Sequence, residues 1–155
     1  MLDLDNKTEA EQLVAVKRDG LLIQYINNPS ERVKLAAVKE NGYSIKYIQD
    51  PSERIQLAAV NDYLYSIKYI KTPSEKVQLV AVKKYGCSIQ HIKNPPELIQ
   101  LAAVQKYGLS IQYIKNPSVQ VQLEAVKQNV DSIKYIQNPC QAVRDYVLIH
   151  NIMVE

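Results

Sequence analysis

No phenylalanine and no tryptophan occurs in this 155-residue sequence, and it holds four glycines, two cysteines and two histidines. Each scarcity excludes something. Two cysteines are too few for a disulfide-knit secreted scaffold, so a reducing, cytoplasmic setting is expected. No apolar run approaches the roughly 20 residues of a membrane span. The opening MLDLDNKTEAEQ is polar and acidic, unlike a secretory leader. Few glycines leave no phosphate-cradling loop, and no Ser-His-Asp arrangement or acidic cluster suits catalysis. Cys87 and His91 share a helical spacing, but two ligands do not make a zinc site, so no metal, cofactor or enzyme activity is expected. A net charge of +3 is too mild to imply nucleic acid or membrane by itself.

What is present is a repeat. Pro29, Pro51, Pro73, Pro95, Pro117 and Pro139 stand 22 residues apart. Each unit reads P-S-E-x-V-Q-L-A-A-V-K-x-x-G-x-S-I-x-Y-I-x-N, with an earlier proline-free unit from Lys7. Fixed-period self-similarity of this length marks a solenoid. The fold class expected is therefore all-α: a single α-solenoid domain over 1–155. It comprises a capping repeat at 7–28, five full repeats over 29–138 and a capping helix over 139–155.

Within a unit, Asn28-Pro29-Ser30-Glu31 reads as a helix start. Asn28 would be the N-cap, Pro29 the first helical residue, and Glu31 would reach back to the cap amide. Asn6-Lys7-Thr8-Glu9 repeats the arrangement without proline. Gly20, Gly42, Gly86 and Gly108 would end the helix in the left-handed conformation, a role that Leu64 and Val130 suit poorly. The following S-I-x-Y-I reads as a short helix, because Ile45 and Ile48 would face opposite ways in a strand. Along the first helix, the Val33-type and Leu35-type positions face apart and should contact opposite neighbours. The outward position is polar at each end, as Glu11 and as Asp145, which is what capping units need.

The phrase running Val77 to Ile92 and Ile99 to Ile114 resembles a family of short two-helix repeats of unknown function. That family is met in phages, giant viruses, mobile elements and some protists, and the resemblance covers about residues 9–148. It departs at Leu64, Val130 and His91. It implies a helical-repeat fold and carries no catalytic residues. A phage or mobile-element origin would imply action in the host cytoplasm, for instance as an anti-CRISPR-like inhibitor of a host defence protein.

Function is sought in what recurs and what varies. No acid occurs at the variable positions of S-I-x-Y-I-x, which include Lys46, Lys68, Lys71, Lys93 and Lys115. Tyr25, Tyr47, Tyr69, Tyr113 and Tyr135 form a ladder read mainly as packing between layers. Tyr43, Tyr63, Tyr65, Tyr85 and Tyr107 cluster instead around the inter-helix turns of the middle units, as interaction anchors. The expected partner is a protein with an acidic patch. The alternative is sequence-independent nucleic-acid binding by the same Lys/Tyr stripes. At the C-terminal end, Leu148, Ile149 and Ile152 suggest either a capping contact or a homodimer.

Overall fold

The computed structural model of the chain describes residues 4–152, the side chains of 151 and 152 excepted. Seven α-helices alternate with six short 3-10 helices, and no strand occurs among the described residues. The α-helices are α1 (Glu9–Arg18), α2 (Glu31–Glu40), α3 (Glu53–Asp62), α4 (Glu75–Lys84), α5 (Glu97–Lys106), α6 (Val119–Gln128) and α7 (Gln141–Ile152). Between them lie η1 (Gly20–Tyr25), η2 (Gly42–Tyr47), η3 (Ser66–Tyr69), η4 (Gly86–His91), η5 (Gly108–Tyr113) and η6 (Val130–Tyr135). The chain is thus a tandem helical repeat of the solenoid class. It divides into two compact units, Met1–Val80 and Ala81–Glu155.

In the first unit α1 packs on α2 and α2 on α3, with η1, η2 and η3 in a parallel row. In the second, α5, α6 and α7 follow one another beside the row η4, η5 and η6. Helices this short are marginal alone, so each depends on its neighbours. Each of α2 to α6 gives the core two Val/Ile side chains and at least one Ala, as Val33, Ala37 and Val38 do in α2, and η1 to η5 each add an Ile. Val33, Ile55, Ile45 and Ile67 are fully buried in the first unit, and Ile99, Val121, Ile89 and Ile111 in the second. The Leu35-type position is less deeply buried. Leu35, Leu57, Leu101 and Leu123 are half-buried, on the outer seam rather than in the core. Glu11 and Asp145 are both exposed, and each is held within its own helix end: Glu11 by Thr8, Asp145 by Gln141.

Two local expectations are corrected. The N-cap is the residue after the proline, not the Asn before it: Ser at α2, α3, α4 and α6, and Pro96, with no side-chain cap, at α5. Ser30, Ser52, Ser74 and Ser118 accept from the amides of Val33, Ile55, Val77 and Val121. The residue before the proline is pushed out of the right-handed helical region. At three of these places, Asp50, Asn94 and Asn116, φ is 45°, 47° and 50°, left-handed values that their short polar side chains tolerate. The proline carbonyl is then fastened by the helix it precedes. Gln56, Gln78, Gln100 and Gln122 donate to Pro51, Pro73, Pro95 and Pro117 at 2.8 to 3.0 Å. Freed from the cap, the Glu reaches forward: Ser30, Ser52, Ser74 and Ser118 donate to Glu9, Glu31, Glu53 and Glu97 of the preceding repeat. The full reciprocal capping box is seen at α1, as Thr8 with Glu11, two residues later than the Asn6…Glu9 reading.

The glycines are the second correction. None has positive φ. They open the short helices, and closeness to the next repeat is the reason for them. A Cβ on Gly20 would stand 2.4 Å from the Ala37 carbonyl oxygen, and one on Gly108 2.6 Å from that of Ala125. Val130 opens η6, which contacts the terminal helix α7, and that 3-10 helix keeps its full six residues. At Leu64 the short helix starts later and spans four residues instead of six.

Candidate functional site

The turn between each α-helix and its 3-10 helix comes in two forms. In the outer repeats the hinge residue is Asp19, Asn41 or Asn129. Its side-chain oxygen accepts from the amide two residues on, in Leu21, Tyr43 and Asp131, at 2.9 to 3.0 Å. In the middle repeats the hinge is Tyr63, Tyr85 or Tyr107. Tyr85 and Tyr107 keep the same extended backbone as Asn41 and Asn129 but make no side-chain cap. Such a cap is worth about 1 kcal/mol, so these tyrosines stand where a better capping residue fits.

In the first unit the tyrosines gather. The ring of Tyr43 meets those of Tyr63, Tyr69 and Tyr47 edge to face, with centroids 5.6, 5.4 and 6.2 Å away. Tyr65 extends the group through Tyr63 at 5.8 Å. The ammonium of Lys46 donates to the Tyr43 hydroxyl at 3.0 Å and lies over the rings of Tyr43 and Tyr47. Lys68 lies over Tyr69. Each ring pair adds about 0.5–1.5 kcal/mol beyond area burial, so the patch is pre-organised rather than a set of loose side chains. The hydrogen bond from Lys46, then that from Tyr69, holds the Tyr43 hydroxyl below the usual phenol range. The same bond to Tyr43, aided by burial, pushes Tyr69 above it, and contact with Tyr43 raises Lys46.

Sequence reasoning placed Tyr47 and Tyr69 in a packing ladder and so missed them as members of this patch. The signal was faint: Tyr43 and Tyr47 stand four residues apart near the two ends of one short helix, and their rings meet. Nor are the ladder residues buried as packing requires; Tyr25, Tyr113 and Tyr135 are exposed by more than 40%. Of the turn tyrosines, Tyr43 and Tyr63 are half-buried and Tyr65 is exposed. Tyr85 and Tyr107 belong to the second unit, half-buried and exposed respectively, with Lys84 over the Tyr85 ring. Lys46, Lys68 and Lys71 are exposed on the first unit, and Lys93 and Lys115 on the second. Beside the patch a groove of about 510 Å³ runs between Tyr47 and Tyr69, with Lys46 and Lys71 at its edge and Gln56 and Pro51 along it.

Cys87 and Cys140 are free thiols. Among the described residues, no three His, Cys, Asp or Glu side chains are grouped to hold a metal, and no helix is long and apolar enough to cross a membrane. His150 is held by its own helix, donating Nδ1–H to the Tyr146 carbonyl and stacking on that ring. Leu148 and Ile149 are exposed on α7, while the side chain of Ile152 lies outside the described residues.

The class these features define is a helical repeat bearing an aromatic surface patch. No family model matches the chain, and neither a curated protein nor a solved structure shows significant similarity to it. The family resemblance of the repeat phrase thus rests on its wording alone.

Proposed function

We propose that this chain is a non-catalytic scaffold that binds another protein through the tyrosine patch of its first unit. The observation that carries the reading is the five-ring cluster of Tyr43, Tyr47, Tyr63, Tyr65 and Tyr69 under Lys46 and Lys68. Tyrosine on a rigid frame presents large contact area at little entropic cost, and such residues dominate interface energetics. The lysines favour a partner with acidic groups opposite. That the partner is a host defence protein is a further proposal, which the resemblance motivates. The runner-up is sequence-independent binding of single-stranded nucleic acid, favoured by exposed lysines beside tyrosines. Against it, the Tyr43 ring meets three neighbours edge to face, which leaves little open π-surface for a base.

The test is a pull-down with the wild-type chain and with Tyr63→Ala/Tyr65→Ala, alongside a gel shift on arbitrary single strands at low and high salt. A specific protein recovered by the first and lost by the second supports the reading. Salt-sensitive binding to any strand, with no protein recovered, overturns it in favour of the runner-up.

A further inference from the structure

A second surface on the first unit has a different chemistry. The half-buried side chains of Leu13, Leu35 and Ala36 floor an open groove of about 580 Å³ over the outer seam between α1 and α2. Lys17, Lys39 and Arg54 rim it. The groove also holds Glu31 and Glu40, but both carboxylates are engaged within the fold. Glu31 accepts from the Ser52 hydroxyl, and Glu40 accepts from the Gly20 amide at 2.5 Å. The cations are less occupied. Arg32 and Lys76 bridge to the Glu one repeat back, Glu9 and Glu53, at 3.6 and 3.4 Å. Arg54, the residue between them in the series, makes no such ion pair and lines the groove instead. A cation near a helix N-terminus is unfavourable to the macrodipole, and Arg54 holds that place in α3 without the compensation its counterparts have.

We infer that this groove receives an amphipathic helix of a partner protein, its apolar stripe on Leu13 and Leu35 and its acidic flanks against Lys17, Lys39 and Arg54. Leu13 and Leu35 give the groove an apolar floor of the kind into which an amphipathic helix lays its apolar face. Four cations, Lys17, Arg32, Lys39 and Arg54, against the two carboxylates leave the lining net positive, which favours acidic flanks on the partner. This surface is separate from the tyrosine patch, and it stands whether or not the patch binds protein.

The probe is a synthetic helical peptide with one leucine stripe flanked by Glu, compared with a peptide in which Lys replaces every Glu. Fluorescence anisotropy should show saturable, salt-weakened binding of the Glu peptide and none of the Lys peptide. Lys39→Glu/Arg54→Glu, both exposed and without packing roles, should weaken binding roughly tenfold or more at unchanged helix content. Leu35→Ser should weaken it as well. Tyr63→Ala/Tyr65→Ala should leave it unchanged, which separates this surface from the patch. Equal binding of the two peptides, no binding of either, or an affinity unmoved by the charge reversal would each overturn the inference. So would sedimentation showing that a second copy fills the groove, with Leu35→Ser restoring the monomer.

Discussion

The outer hinges, Asp19, Asn41 and Asn129, and the middle hinges, Tyr63, Tyr85 and Tyr107, occupy the same place in the repeat yet do different things. The first set closes its turn by a hydrogen bond to the amide two residues on. In the second set, Tyr85 and Tyr107 adopt the same backbone without that bond. Folding alone would favour Asn at every copy. The middle repeats depart from the locally better residue, and Tyr63 is one of the rings assembled around Tyr43. Local rules broken without a visible structural gain are expected where function resides.

The comparison can be broken most sharply at the partner. Tyr63→Ala/Tyr65→Ala is expected to weaken protein binding by about 2 kcal/mol or more, with helix content unchanged by circular dichroism. The glycines come next. Gly108→Ala puts a methyl 2.6 Å from the Ala125 carbonyl oxygen. It should destabilise the chain by about 1–3 kcal/mol in urea unfolding. A neutral result would mean that the two repeats do not approach so closely at Gly108. Asn129→Ala should cost about 1 kcal/mol, and the reverse exchange at the middle hinges should gain. Tyr107→Asn is expected to raise stability by roughly 0.5–1 kcal/mol. If Tyr107→Asn destabilises instead, the tyrosine hinge is structural and stability has not been given up for binding there.

The smallest effect is electronic. On raising pH, Tyr43 should ionise before the ordinary tyrosines and Tyr69 after them, followed by tyrosinate absorbance in single Tyr→Leu variants. In Lys46→Ala the ammonium that favours the Tyr43 phenolate is gone, so the Tyr43 titration should move to higher pH. An unmoved titration would mean that Lys46 does not rest on Tyr43 in solution.

The tyrosines were legible in part. Tyr43, Tyr63 and Tyr65 stood out because they differ between copies, whereas Tyr47 and Tyr69 were hidden by their regularity. A residue that recurs in every unit looks like packing. Its neighbours decide otherwise, and those neighbours come from adjacent repeats. The same holds for Glu40, Asp62 and Gln128, whose side chains accept from the Gly20, Gly42 and Gly108 amides of the preceding repeat. The clue was a fixed spacing of 20 residues from three of the four glycines to an acceptor side chain.

By itself the sequence determined the period, the helical class, the buried Val and Ile positions and the polar ends. These follow from spacing and from which side chains avoid water, and both can be read along a single chain. The tertiary structure decided which residue caps each helix, why glycine is needed, and which tyrosines meet. Each of those is a contact between one repeat and the next. An N-cap serine also donates to the previous repeat's glutamate, and a glycine lies under the next repeat's carbonyl. Such contacts depend on how closely two copies approach, and that distance is set by packing in three dimensions rather than by order along the chain.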